Sequence, residues 1–175
     1  MHVLIVVDMQ KDFIDGALGT PEAVAIVPKV AEKIRDFDGL VLATRDTHTS
    51  NYLETQEGHH LPVVHCVLGT PGWGIHPEIA ELLDETPIDK PTFGSVELME
   101  NLRSLHAENP IGSITLVGLC TDICVISNAI MAKAALPEVP VLVDAACCAG
   151  VTPESHKNAL QAMRMCQIQI ENGED

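Results

Sequence analysis

Short apolar runs alternate along this chain with segments in which apolar residues recur every three to four positions. The runs are continuous and rich in β-branched residues, which is typical of strands covered on both faces of a parallel sheet. They predict strands at 3–7, 40–43, 114–117 and 139–143, with a short last strand at 167–170. The helical spacing predicts helices at 28–35, 77–83, 95–105, 123–135 and 153–165.

Strands that alternate with helices predict an α/β fold, a three-layer α/β/α arrangement around a mostly parallel central sheet. The chain shows no repeat or linker, so we expect one domain over residues 1–175. Between residues 45 and 75 no clean periodicity appears, and the stretch is rich in His, Gly and Thr. A loop of that length in a compact domain is usually functional.

Polar side chains follow the predicted strands. Asp8 follows the first strand, Asp46 and His48 follow the second, and Thr121 and Cys124 follow the strand at 114–117. Each has an ordinary alternative: a turn aspartate, a solvated loop, a small buried thiol. The carboxyl ends of parallel strands meet at one rim, however, and ligands bind there. The sequence therefore predicts a site that combines an acidic side chain, two potential metal ligands (Asp46 and His48) and a thiol.

Cys124 lies where a predicted helix begins directly after a strand. Backbone N–H groups and the positive end of the helix dipole favour an anion there, so a thiol at this position ionises more easily. The same N–H groups could hold the oxygen of a carbonyl under attack. These properties suit nucleophilic catalysis.

Composition narrows the function classes. The chain of 175 residues carries 25 acidic against 10 basic residues, a net charge of −15 without a basic cluster, which argues against nucleic acid as a partner. It contains no run of 18 apolar residues, so we expect no membrane span. The six cysteines show no CxxC spacing and the chain starts without a signal-peptide pattern, which fits reduced thiols in the cytoplasm.

Five segments together resemble the isochorismatase-like cysteine hydrolases, and within them the nicotinamidases. They are VVDMQKDF at 6–13, TRDTH at 44–48, HCVLGTPGW at 65–73, IDKPTF at 88–93 and VGLCTDICV at 117–125. The resemblance spans nearly the whole chain. It implies a catalytic triad of Asp8, Lys90 and Cys124, although a surface role is the default for a lysine. It also implies an oxyanion hole from the backbone N–H groups of Cys120 and Cys124, and a cis peptide bond before Cys120.

The resemblance also implies a divalent metal ion near the triad. Asp46, His48 and His65 match the family's ligands, and a carboxylate with two imidazoles suits Zn, Fe or Mn. Glu57 is the expected fourth ligand, with Glu54 and His60 as competitors. In nicotinamidases the ion holds the ring nitrogen of the substrate.

The expected reaction is hydrolysis of nicotinamide to nicotinate and ammonia through a Cys124 thioester. Among the five aromatic residues, Phe13 is the candidate for stacking on the ring. Leu61 and Ile123 stand where many nicotinamidases have aromatic residues, so two alternatives stay open. One is a hydrolase for a carbamoyl amide or, without metal, an isochorismate-type enol ether. The other is a non-catalytic binding member of the fold. We expect a small-molecule substrate and a homo-oligomer.

Overall fold

The apolar runs pair side by side in the computed structural model, which describes residues 1–173. Within those residues six strands form one parallel sheet in the order β3-β2-β1-β4-β5-β6. The strands are β1 (His2–Val7), β2 (Leu40–Asp46), β3 (Ile88–Lys90), β4 (Ser113–Leu119), β5 (Val141–Ala149) and β6 (Gln169–Glu171).

Helices connect the strands and cover both faces of the sheet. The helices are α1 (Lys11–Ile14), α2 (Pro21–Asp36), α3 (Gln56–His60), α4 (Pro77–Ala80), α5 (Val96–Glu108), α6 (Ile126–Ala135) and α7 (Pro153–Met165). Two short 3₁₀ turns, Tyr52–Glu54 and Pro71–Trp73, lie in the long loop region. The predicted α/β/α arrangement is confirmed.

Successive side chains of β1 point to opposite faces of the sheet and so belong to two separate core clusters. Val3, Ile5 and Val7 pack into a cluster with apolar side chains of α5, α6 and α7. Leu4 and Val6 point to the opposite face and pack with side chains of α2. Because the central strand is buried on both faces, its sequence is apolar throughout instead of alternating with polar residues.

Several strand boundaries differ from the predictions. β2 continues to Asp46, so this residue ends the strand instead of following it. β5 begins two residues later and runs six residues further than predicted, to Ala149, through the adjacent cysteines. β3 was not predicted, because a strand of three residues, Ile88–Lys90, is too short to leave a visible pattern.

Helix boundaries also needed correction. α2 begins at Pro21, so the predicted start at Pro28 is wrong, and Pro28 lies inside the helix. Thr20 caps this helix by accepting a hydrogen bond from the Ala23 N–H group at 3.0 Å. The helix expected at 123–135 is divided: Thr121–Val125 forms one π-helical turn, and regular helix starts at Ile126. α4 is shorter than predicted, and α5 extends to Glu108.

Gly118 allows the two central strands to meet near the rim. It pairs with Val7 in the register of β1 and β4, and its φ of +114° lies in the region that favours glycine. A Cβ atom on this residue would lie 2.1 Å from the Val7 carbonyl oxygen. The approach of β4 to β1 at this level therefore requires the absence of a side chain.

Candidate active site

The ends of four neighbouring strands carry the predicted catalytic and metal-binding residues. Asp8 follows β1, Asp46 ends β2, Lys90 ends β3, and Cys124 lies in the turn after β4. Since the sheet order is β3-β2-β1-β4, these ends are adjacent in space. Among the three triad residues, Lys90 has the weakest support from sequence, and it is positioned by β3, the strand that was not predicted.

The three predicted triad residues are in contact and buried. Lys90 Nζ lies 2.7 Å from Asp8 Oδ2, and both side chains have no exposed surface. The same ammonium donates to Cys124 Sγ at 3.5 Å and to the Thr92 carbonyl oxygen at 3.0 Å. The Thr44 hydroxyl donates to Asp8 Oδ1 at 2.8 Å and orients that carboxylate. One lysine therefore links the acid to the thiol.

Burial controls protonation within this triad. Burial raises the pKa of Asp8 above its ordinary value, and the opposing effect of Lys90 is smaller. Burial, together with the negative charge of Asp8, likewise raises the pKa of Cys124, and Lys90 lowers it only in part. The sequence predicted a thiol that ionises easily at a helix start. The structure corrects this, because the thiol is enclosed and faces a carboxylate.

The nucleophile turn, residues Thr121–Val125, has its own support. Asn128 on α6 donates to the Cys124 carbonyl oxygen at 2.8 Å, and its Oδ1 accepts from the Ser95 N–H group at 2.9 Å. The peptide bond between Leu119 and Cys120 is cis, as the resemblance implied. Cys120 and Cys124 both line an apolar cavity beside the triad, so their N–H groups remain candidates for an oxyanion hole.

The four predicted metal ligands form one cluster beside the triad. One ligand atom from each of Asp46, His48, Glu57 and His65 lies within 4.8 Å of the other three. His48 Nε2 is 2.9 Å from Asp46 Oδ2 and 3.5 Å from Glu57 Oε1. Neither of the two competitors for the fourth position, Glu54 and His60, belongs to this group.

Two imidazoles and two carboxylates are a donor set that fits a divalent transition metal. His65 Nδ1 contacts the Val63 carbonyl oxygen at 2.7 Å, which fixes the ring and turns Nε2 toward the cluster. Among residues 1–173, His48 Nε2 is buried and has no hydrogen bond of good geometry. Burial would lower the pKa of His48, but contacts with Asp46 and Glu57 raise it to about 9. The cluster therefore attracts positive charge.

Asp46 belongs to both halves of the site. Its Oδ2 faces His48, while its Oδ1 accepts from Lys90 Nζ at 3.4 Å. Gln10 holds its backbone: the amide Nε2 donates to the Asp46 carbonyl oxygen at 2.8 Å and Oε1 accepts from the Asp46 N–H group at 2.7 Å. Sequence reasoning missed the roles of Gln10 and Thr44, although both lie in the motifs at 6–13 and 44–48.

A largely apolar cavity of about 230 Å³ opens onto both the thiol and the metal cluster. Phe13 lies in its wall, as predicted for a ring-stacking residue. Leu61, Phe93 and Ile123 contribute the wall on the side of a second, more open cavity of about 700 Å³. The first cavity is therefore the smaller of the two, and its lining includes both Cys124 and three of the predicted metal ligands.

The isochorismatase domain family matches residues 2–174 of this chain. The chain belongs to the isochorismatase family. The predicted family is thus confirmed. The predicted nicotinamidase branch is confirmed as well, by the relatives and the solved structure that follow.

The nicotinamidase/pyrazinamidase of Mycobacterium tuberculosis is 28% identical over 184 residues, which cover 97% of this chain and 98% of that protein. The nicotinamidase of Acinetobacter baylyi is 29% identical over 170 residues, covering 81% of this chain and 79% of that protein. The crystal structure of the pyrazinamidase of Pyrococcus horikoshii in complex with zinc is 32% identical, with a TM-score of 0.80 and 97% coverage of each chain. Within residues 1–173, no helix of this family member has the length and apolar character to cross a membrane.

Proposed function

We propose that this protein is a nicotinamidase-like amidohydrolase in which Cys124 is the nucleophile and a divalent metal ion assists. The amidohydrolase class is shared by its relatives, which act on a C–N bond. The observation that carries the proposal is the meeting of a buried Asp8–Lys90–Cys124 triad with a four-ligand metal cluster at one small cavity. A binding module would need no such triad.

Acylation starts from the protonation states of Cys124 and Asp8. The raised pKa of Cys124 keeps the resting thiol protonated, and Asp8 is the adjacent base. As sulfur attacks the amide carbon, the thiol proton passes to Asp8 and the carbonyl oxygen becomes an oxyanion. Lys90 stabilises the negative charge that moves between Asp8 and sulfur. The backbone N–H groups of Cys120 and Cys124 hold the oxyanion.

Collapse of this intermediate breaks the C–N bond, and Asp8 returns its proton to the nitrogen, so ammonia leaves. A thioester on Cys124 remains. A water molecule then gives a proton to Asp8 and attacks the thioester carbon. The C–S bond breaks, the carboxylic acid leaves, and the proton on Asp8 restores the thiol. One carboxyl group therefore serves as base and acid in both halves, for which a pKa above the ordinary value is suited.

The metal cluster supports the substrate assignment. When bound, a divalent ion supplies a Lewis-acid position that can coordinate a ring nitrogen and orient the amide toward sulfur. Asp46, His48, Glu57 and His65 would hold it, and zinc is our expectation among Zn, Fe and Mn. A pyridine carboxamide matches the site because it joins a metal-binding nitrogen to a carbonyl on a flat apolar ring. Phe13 in the cavity wall would stack on that ring.

Ammonia release from a panel of amides by the purified protein, with and without chelator, tests the function. We expect nicotinamide to be hydrolysed by the parent and not by Cys124→Ala. If the parent hydrolyses a carbamoyl amide or an enol ether instead, and retains full activity in chelator, the metal-free alternative replaces this proposal. We further propose a single domain, a homo-oligomer and a cytoplasmic location; the match over residues 2–174 supports the first.

A further inference from the structure

The turn that carries the nucleophile is held in part by its own backbone, since the Ile123 and Val125 N–H groups donate to the Cys120 carbonyl oxygen at 3.1 and 3.0 Å. It is a single π-helical turn, Thr121–Val125, and the residue before it, Cys120, makes no side-chain cap hydrogen bond. π-helical turns are rare and often lie at functional sites. The proposed chemistry needs Cys124 and two backbone N–H groups in fixed positions, so contacts from other elements, such as the Asn128 bond to the Cys124 carbonyl oxygen, add to this restraint.

Helix α7 supplies a direct restraint. His156 Nδ1 lies 2.7 Å from Thr121 Oγ1. Thr121 has no exposed surface, so its hydroxyl is shielded from water. A buried hydroxyl without a partner would be costly, which makes this bond a strong positional constraint. A hydroxyl both donates and accepts, so it suits either tautomer of the ring.

The next residue of the turn is held by the loop before α7. Both carboxylate oxygens of Asp122 accept from the Val151 N–H group, at 3.1 and 3.3 Å. Gly150 packs against the first turn of α7 so closely that a Cβ atom there would lie 2.9 Å from the His156 backbone nitrogen. Gly150 and Val151 also line the apolar cavity of about 230 Å³ that contains the thiol. The start of α7 therefore contacts the nucleophile turn and the cavity wall together.

The start of α7 is itself well ordered. The Thr152 hydroxyl accepts from the Ser155 N–H group at 3.0 Å, and the Ser155 hydroxyl accepts from the Thr152 N–H group at 3.0 Å. This capping box fixes the helix one residue before His156. Burial lowers the pKa of His156 below its ordinary value, with Asp122 opposing in part, so the ring is neutral at pH 7.

We propose that His156 is a positioning residue for the nucleophile: through Thr121 it holds the turn that places Cys124 and the oxyanion-binding N–H groups. This inference rests on the proposed amidase function for its kinetic test. A displaced oxyanion hole destabilises the transition state more than the bound substrate. Loss of the bond should therefore lower kcat and leave KM nearly unchanged.

The kinetic experiment compares His156→Ala and Thr121→Val with the parent on nicotinamide, each at a temperature well below its unfolding midpoint. We expect kcat to fall about 10- to 100-fold in either variant, with KM within about twofold. The double variant should lose no more than either single variant, because both remove the same bond. His156→Asn, whose side-chain amide can reach the hydroxyl, should recover most of kcat, as should Thr121→Ser.

His2 provides a matched control. Its Nδ1 contacts Ser113 Oγ at 2.7 Å, the same kind of bond, at the opposite end of the sheet. His2→Ala should leave kcat unchanged. A His156→Ala protein with kcat within twofold of the parent, or an additive double variant, would overturn the proposal.

A second measurement does not depend on the substrate. Amide hydrogen exchange in peptides that cover 120–125 should be faster in His156→Ala than in the parent, and unchanged in His2→Ala. If the parent releases no ammonia from nicotinamide, the proposed function fails, and this exchange experiment still decides whether His156 holds the turn. Unchanged exchange at 120–125 in His156→Ala would reject the inference on its own.

Discussion

Two acid–lysine pairs in this molecule use the same residue types in opposite ways. At the candidate site, Lys90 Nζ lies 2.7 Å from Asp8, and neither side chain has exposed surface. Away from this rim, Lys33 on α2 lies 2.9 Å from Asp144 on β5, with the lysine 28% exposed. The pKa of Asp8 is above its ordinary value, whereas that of Asp144 is below it.

The difference lies in which effect is larger at each carboxylate: at Asp8, burial and the negative charge of Asp46 raise the pKa more than Lys90 lowers it. Burial alone would raise the pKa of Asp144, but Lys33 donates at 2.9 Å and Asn172 at 3.0 Å, and these bonds outweigh burial. Asp8 Oδ2 has no hydrogen bond of good geometry among the described residues. A carboxyl group whose pKa is raised by burial can accept and return a proton, whereas one that its partners keep ionised stabilises the fold.

The largest predicted effect is at Cys124, the thiol whose proton Asp8 accepts. Cys124→Ala should lower turnover to the assay background while the circular dichroism spectrum stays that of the parent, because the nucleophile is lost and a small side chain remains. Cys147→Ala and Cys166→Ala are controls that should keep activity. Near-normal rates in Cys124→Ala would contradict the covalent mechanism.

The two acids should separate activity from stability. Asp8→Asn should lower kcat by about 100-fold or more, because the proton acceptor is lost. Asp144→Asn should leave kcat unchanged and lower the free energy of unfolding by about 2 kcal/mol, since it removes a charged hydrogen-bond acceptor. Steady-state kinetics and urea unfolding of both variants measure this, and the contrast fails if Asp144→Asn lowers kcat as Asp8→Asn does.

Metal removal should affect substrate binding more than the fold. Chelation should raise KM for nicotinamide by about tenfold or more, because one coordination contact is lost. His65→Ala should abolish tight metal binding, measured by elemental analysis, whereas His60→Ala, an exposed histidine outside the ligand group, should not. Full activity in EDTA together with no bound transition metal would remove the metal from the mechanism.

The two lysines should differ in their effect on the thiol. Lys90 lowers the pKa of Cys124, so Lys90→Met should slow alkylation of Cys124 by iodoacetamide at pH 7 by about tenfold, the effect of one pKa unit. Lys33→Met is the matched control and should leave the alkylation rate of Cys124 unchanged. Equal rates in Lys90→Met and the parent would exclude Lys90 as an activator.

The smallest predicted effect is in the pH dependence of stability. Because the folded pKa of Asp144 lies below its unfolded value, its stabilising contribution is complete above the unfolded pKa and is lost as the pH falls through the folded pKa. The difference in unfolding free energy between the parent and Asp144→Asn should therefore be constant above about pH 5 and shrink in more acidic solution. Urea unfolding at several pH values measures it, and a constant difference down to pH 2 would contradict the assignment.

The sequence predicted best what depends on neighbours along the chain. The apolar run of β1 and the Thr152–Pro153 opening of α7 were clear, because strand burial and helix capping leave local patterns. Pro28 misled the prediction of α2, since the true helix start is marked by the Thr20 cap two turns earlier. β3 left no pattern because it contains three residues.

In the candidate site, too, some residues could be predicted from local patterns and others could not. Asp8, Asp46 and Cys124 could be found because each stands at a strand end, and the family resemblance added Lys90 and Glu57. His156 could not be found, since its partner Thr121 is 35 residues away and no local pattern connects them. The protonation of Cys124 was also beyond the sequence, because it depends on enclosure by residues from separate strands.

Gly118 has a consequence for how sequences of this fold can diverge. Its neighbours Val117 and Leu119 are buried apolar side chains, and such positions tolerate exchange for residues of similar volume. At residue 118 no such freedom exists, because any side chain would overlap the Val7 carbonyl oxygen. Neutral substitutions can therefore change the apolar residues on both sides of this position, whereas the glycine must be kept. In a distant sequence, such a glycine would mark where the nucleophile turn begins.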